Sequence, residues 1–172
     1  MNTGRYVIMG VAGSGKTTIG AALARALAMP FLEGDELHPP ANVQRMAQGV
    51  ALTDDDRRPW LLAIAQQLRD AQRAGLGLVV TCSALKRSYR DLLRSAGGGG
   101  EGALQFVHLT GDRDVVAERL AGRRGHFMPA SLLDSQFAAL EAPAPDERAW
   151  VCDIRESPEA IVASLVKLTR ES

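Results

Sequence analysis

The residues with the clearest chemistry form one run, Gly10-Val11-Ala12-Gly13-Ser14-Gly15-Lys16-Thr17, which fits G-x-x-x-x-G-K-[ST]. Glycines let successive backbone N–H groups turn inward around an anion, where a Cβ would clash. A helix starting there adds unpaired N–H groups and the positive end of its dipole. Lys16 can then reach the outer phosphates of a nucleoside triphosphate, and the Thr17 hydroxyl can ligate Mg²⁺, with Thr18 next in the nucleotide set. Three further groups carry charge at suggestive places. Asp35 and His38 lie in Gly34-Asp35-Glu36-Leu37-His38-Pro39-Pro40, just past a short apolar run. Lys86, Arg90 and Arg94 repeat every fourth residue. Arg119, Arg123 and Arg124 precede Gly125 and His126, a dense cationic segment at a hinge, which suits a lid closing over polyphosphate. For any single arginine the alternative is a helix end complementing its own dipole.

The elements that must position these groups alternate regularly. Tyr6–Met9 reads as a buried strand before the glycine loop, and Ile19, Ala22, Leu23, Ala26 and Leu27 fall on one face of the helix after it. Residues 29–33 read as a second strand with Pro30 at its start, so that Asp35 stands beyond a strand's carboxyl end, where open α/β sheets place ligands. A short helix is expected over 42–48. A longer one is expected from near Asp56, leaving Pro59 in its first turn and Trp60, Leu61, Ile64, Ala65 and Leu68 as its buried stripe. Of Arg57 and Arg58, one is read as a solvated neighbour of Asp54, Asp55 and Asp56. Residues 78–82 form a third strand that leads into the helix bearing Lys86, Tyr89 and Arg90, with Tyr89 facing inward. Strands at 104–109 and 150–152, helices carrying Val115, Val116 and Leu120 and spanning 130–141, and a closing helix capped by Ser157 complete the alternation. A parallel sheet covered by helices on both faces follows.

At 172 residues the chain reads as one domain of 1–172, with a lid at roughly 123–135. Twenty basic residues balance twenty acidic ones, so composition suggests neither nucleic acid nor a membrane surface as partner. No apolar run reaches membrane-spanning length and no secretory signal is evident, which points to the cytoplasm. Cys82 and Cys152 end different strands and read as reduced core residues. Oligomeric state stays open, a homodimer included.

The glycine loop says nucleoside triphosphate but not its fate. Asn-Lys-x-Asp and Asp-x-x-Gly, which GTPase switches use, are both absent, and the size excludes most ATP-driven machines. A small phosphotransferase with a lid remains. An ATP-sensing module is the other class, but a sensor needs no acceptor machinery.

Six ordered segments carry a resemblance. Met9-Gly10-Val11 with Gly13-Ser14-Gly15-Lys16, Gly34-Asp35 with Leu37-His38-Pro39, and Leu52 with Asp54-Asp55-Asp56-Arg57 and Pro59-Trp60-Leu61 resemble the small bacterial-type gluconokinases. So do Cys82-Ser83-Ala84-Leu85-Lys86 with Tyr89-Arg90-Asp91, Gly125-His126-Phe127, and Ser135-Gln136-Phe137 with Leu140-Glu141 and Pro143. The resemblance implies ATP-dependent phosphorylation of D-gluconate and a P-loop kinase fold with sheet order 2-3-1-4-5. In that order the strands of Cys82 and Cys152 are not neighbours. Lys16, Mg²⁺ and the lid arginines, Arg124 among them, would neutralise the migrating phosphoryl group, with Arg119 and Arg123 on the nucleotide. Asp35 is the candidate proton acceptor. With no acid at the end of the third strand, it is also a candidate metal partner beside Thr17, and the two roles stay open. Arg57, Lys86 and Arg90 are candidates to grip the acceptor carboxylate, and His38, His126 and Gln136 to bond its hydroxyls. Tyr89 is the one aromatic residue in the acceptor-side segments Gly34–His38, Asp54–Arg58 and Ser83–Arg90, which argues against a site built to stack a nucleobase.

Overall fold

Consecutive apolar residues in a strand are buried together only if both faces of the sheet are covered. The computed structural model, which describes residues 2–98, 104–122 and 129–172, has that arrangement. In β1 (Arg5–Met9), Tyr6 and Ile8 enter one core while Val7 and Met9 enter the other. The elements follow as α1 (Lys16–Ala26), β2 (Phe31–Glu33), α2 (Pro40–Ala47), α3 (Asp54–Arg73), β3 (Leu78–Thr81) and α4 (Arg87–Ala96). Then come β4 (Gln105–Thr110), α5 (Arg113–Ala121), α6 (Ala130–Ala139), β5 (Trp150–Asp153) and α7 (Pro158–Glu171). All pairings are parallel and the order is β2-β3-β1-β4-β5. Val7 pairs with Val80 on one side and Phe106 on the other, so the centre of the sheet is wholly apolar.

Ile19 and Leu23 of α1, Val116 of α5, Leu133 of α6 and Ile161 and Leu165 of α7 cover the first face. Trp60, Leu61, Ile64, Ala65 and Leu68 of α3, with Tyr89 and Leu93 of α4, cover the second. The stripe expected on α3 is therefore the one that is buried. Cys82 and Cys152 are both buried and unbridged, and β1 and β4 lie between their strands.

Several boundaries differ from expectation by a residue or two, and three of the shifts have a local cause. β2 begins at Phe31, because the Met29 N–H closes the end of α1 on the Ala24 carbonyl at 2.9 Å. α3 begins at Asp54, and Pro59 sits inside it beyond the first turn. A reciprocal cap overrides the proline: Thr53 Oγ1 accepts from the Asp56 N–H at 3.1 Å, and Asp56 Oδ2 accepts from the Thr53 N–H at 3.0 Å. Three first-turn aspartates add favourable charge at the positive helix end. α6 stops at Ala139, since the Glu141 N–H leaves the helix for the Leu85 carbonyl at 2.8 Å. The cap expected on α7 is present, with Ser157 Oγ accepting from the Ala160 N–H at 3.1 Å.

Candidate active site

Strand β1 delivers the glycine loop to the carboxyl edge of the sheet, and α1 starts directly from it. Gly15 caps α1 at φ 97°, a left-handed conformation that disfavours any other residue. A Cβ there would meet no heavy atom within 4 Å, so the loop leaves open space at that point. Lys16 Nζ donates to the Gly10 and Val11 carbonyls at 3.0 Å each. Ser14 Oγ is buried with no hydrogen-bond partner among the described residues. An open cradle, a cation at its mouth and an orphaned buried hydroxyl fit an oxyanion ligand such as a phosphate chain. Thr18 follows on the first turn of α1, exposed.

Glu33 is a candidate site residue that no motif in the sequence singles out. At the end of β2 its Oε2 accepts from Thr17 Oγ1 at 2.5 Å, and its Oε1 accepts from the Thr81 hydroxyl. Thr81 Oγ1 in turn accepts from the Gly34 N–H at 3.0 Å. Thus three elements place a carboxylate on the hydroxyl expected to hold the metal. The available signal was the alternation of Glu33 and Asp35 across a strand's carboxyl end. Gly34 between them is obligatory, because a Cβ would lie 1.9 Å from the Thr81 carbonyl oxygen.

Asp35 and His38 ride on a tight 3-10 turn, Gly34–Leu37, pinned from below by Trp60. The Trp60 Nε1–H donates to the Gly34 carbonyl at 2.8 Å, and its ring stacks on His38 at 4.1 Å between centroids. The Asn42 amide N–H, 3.3 Å from His38 Nδ1, leaves Nε2 as the protonated nitrogen of a neutral ring. Burial holds the His38 pKa below its ordinary value; Asp35 opposes that shift and Arg57 reinforces it. A neutral donor and a carboxylate therefore share this turn.

A cavity of about 850 Å³ joins Lys16, Thr17, Glu33, Asp35, His38, Arg57 and Gln136. A second, of about 620 Å³, adjoins it through Leu52, Arg57 and Ser135 and carries Asp54 and Lys86. The Tyr89 ring is buried as expected, but its hydroxyl surfaces among these charges. The Arg57 Nη1–H donates to it at 3.0 Å, and it donates to Asp54 Oδ1. The Lys86 ammonium also donates to Asp54 Oδ1, at 3.0 Å. Burial, then the bond to Asp54, raises the Tyr89 pKa, so the phenol keeps its proton at neutral pH. Gln136 reaches the loop instead of standing apart from it: its Oε1 accepts from the Ala12 N–H at 2.6 Å.

Arg90 is a correction. Its side chain is 0% exposed and paired with Glu147 at 2.7 Å, and every guanidinium N–H is engaged. The remaining acceptors are the carbonyls of Ala84, Leu85 and Glu141 and the second Glu147 oxygen. It ties α4 to the 141–147 segment and leaves no donor for an acceptor molecule. Arg119 is exposed on α5 and donates to the Ile154 carbonyl; it does not line the cavity. Arg123, Arg124 and His126, with residues 123–128 of the expected lid, lie outside the described residues.

A glycine loop between the central strand and first helix of a parallel 2-3-1-4-5 sheet, facing a carboxylate across one cavity, defines a P-loop kinase. A family model described as an AAA domain matches residues 6–143. The chain is 48% identical over 161 residues to the gluconokinase of Gluconobacter oxydans (strain 621H), covering 94% of this chain and 88% of that protein. It also matches the crystal structure of a gluconokinase from Sinorhizobium meliloti 1021, with TM-score 0.86 and 46% identity over 99% of this chain and 95% of that one. The chain belongs to the gluconokinase family and is a kinase. Shikimate kinase from Aquifex aeolicus, 18% identical with TM-score 0.65 over 97% of this chain and 96% of that one, shares the fold. Among the described residues no helix is long and apolar enough to cross a membrane.

Proposed function

We propose that this kinase transfers the γ-phosphoryl group of ATP to the primary hydroxyl of D-gluconate, giving 6-phospho-D-gluconate and ADP for gluconate catabolism in the cytoplasm. The observation that carries this reading is the continuity of one cavity from Lys16 and Thr17 to Asp35, His38 and Arg57, with Lys86 next door. Its acceptor half offers a carboxylate, a neutral imidazole and the Arg57 cation, with Lys86 in the adjoining cavity, which suits a hydroxylated acid with one negative charge. The likeness to named gluconokinases supports the same acceptor.

Phosphoryl transfer is mostly positioning and charge stabilisation. The loop amides and Lys16 hold the β- and γ-phosphates. Asp35 orients the attacking hydroxyl and takes its proton as the new O–P bond forms and the bond to ADP breaks. Glu33, seated on Thr17, leaves Asp35 for that task. His38 donates through Nε2 to an acceptor hydroxyl, while Arg57 and Lys86 hold the acceptor carboxylate. Thr17 and Glu33 are hard oxygen donors of the kind Mg²⁺ takes alongside phosphate oxygens and water. When bound, the ion draws charge from the migrating group. Arg123 and Arg124 are proposed to reach the nucleotide from the lid, and Arg119 from the last turn of α5.

An ADP-release assay with D-gluconate, shikimate, AMP and CMP as separate acceptors tests the reading. ATP consumption should require an added acceptor and be strong with gluconate alone. Consumption without any acceptor, or a nucleoside monophosphate as the best one, would overturn it.

A further inference from the structure

Of the two cations assigned to the acceptor's acid group, Lys86 already holds a carboxylate, and Arg57 is joined to it through the Tyr89 hydroxyl. Lys86 and Tyr89 both donate to a single oxygen, Asp54 Oδ1, and Arg57 donates to the Tyr89 hydroxyl from the other side. Lys86 and Arg57 also stand over the Tyr89 ring, 5.7 and 5.6 Å from its centroid. The group is thus a preformed monocarboxylate receptor, filled by a residue of the same chain.

Asp54 differs from its neighbour Asp56 in how it is held. Asp56 is locked into the helix cap and paired with Arg45 at 2.7 Å. The hydrogen bonds of Asp54 come from Lys86 and Tyr89, and its side chain is 62% exposed at the first position of α3. It can swing into water while Asp55 and Asp56 maintain the acidic first turn. Lys86 and the Tyr89 ring are anchored elsewhere, at the start of α4 and in the core. The receptor therefore stays in place when its occupant leaves.

We propose that Asp54 is a built-in counterion whose carboxylate occupies the acceptor's carboxylate position and is displaced by it on binding. This rests on the reading of the acceptor as an aldonic acid. Displacement makes Asp54 a competitor of the acid group alone. An acid replaces Asp54 with an equivalent group, leaving Lys86, Arg57 and Tyr89 satisfied. A neutral polyol offers nothing to replace it and leaves the Asp54 bonds closed across the far end of the site. Asp54 thereby keeps Lys86 and Tyr89 paired in the empty site, at the cost of weaker acid binding.

Asp54→Asn tests this, because the amide keeps size and an acceptor oxygen but removes the charge. Exposed ion pairs are weak, so the KM for D-gluconate should fall about two- to fivefold. The kcat and the KM for ATP should hold, and the KM for D-glucose should not improve. A gluconate KM that rises, or falls by less than about twofold, overturns the proposal. A rise would mean that Asp54 orients Lys86 and Tyr89 for the substrate. Parallel improvement for gluconate and glucose overturns it too, since that is a loosened site. Failure of the wild-type enzyme to use gluconate sinks the acceptor assignment, and this proposal with it. Normal wild-type turnover with the wrong variant response sinks the counterion alone.

Discussion

Arg90→Met separates a structural arginine from a substrate-binding one. Methionine roughly replaces the apolar stem, but every guanidinium hydrogen bond disappears. Glu147, 1% exposed, would keep only the Arg94 Nη2–H and the Ala144 N–H, each at 2.8 Å. The Ala84, Leu85 and Glu141 carbonyls would lose donors at the same time. Breaking one side of a buried ion pair costs about 3–5 kcal/mol. At about 2–4 °C per kcal/mol for a chain of this size, Tm should drop about 6–20 °C. Thermal melting measures that directly. Gluconate KM, measured well below the variant's Tm, should move by less than about threefold, because Arg90 has no donor to give. A Tm within about 2 °C of wild type together with a tenfold rise in gluconate KM would refute the reasoning and return Arg90 to the acceptor site.

Glu33→Gln should raise the Mg²⁺ concentration needed for half-maximal activity by about 10–100-fold, as loss of a ligand's hydrogen-bonding partner does; an unchanged Mg²⁺ titration would detach Glu33 from the metal. Asp35→Asn should lower kcat by about 10²–10⁴ with little change in Tm; a large Tm loss with little rate loss would make Asp35 a turn residue. Glu147 also predicts an acid limit. Its hydrogen bonds from Arg90, helped by the Ala144 N–H and Arg94, hold its pKa at about 2, below the ordinary 4.5, so the unfolded chain takes up its proton first. The stabilisation is complete above pH 4.5 and is lost as pH falls toward 2, which the slope of Tm against pH checks in that window. Glu147→Gln should flatten that slope.

The glycine loop, the buried stripe of α3 and the cap of α7 are all local patterns, and each was legible because neighbours in sequence decide it. The sheet order came from resemblance, since strand alternation alone does not choose among parallel orders. Thr53 and the acids after it mark a helix entry in the sequence and Pro59 argues against it; the reciprocal Thr53–Asp56 bonds outweigh the proline's missing donor. Arg90 sits at four-residue spacing between Lys86 and Arg94, and that basic stripe offers it to the acceptor carboxylate. Its partner Glu147 lies 57 residues further on, beyond three prolines, and no periodicity links them. The inward-facing spacing of Tyr89 locates its ring but says nothing of a hydroxyl that emerges at the site. Gln136 shows the same limit, since its bond to Ala12 spans 124 residues.

The claim at the centre is that the acceptor is read by its carboxylate as well as its hydroxyls. The most direct test is the ratio of kcat/KM for D-gluconate to that for D-glucose, which has the primary hydroxyl but lacks the acid. With no acid group to engage Lys86 and Arg57, glucose should stay at least about 100-fold below gluconate. Glucose within about tenfold of gluconate would contradict the account.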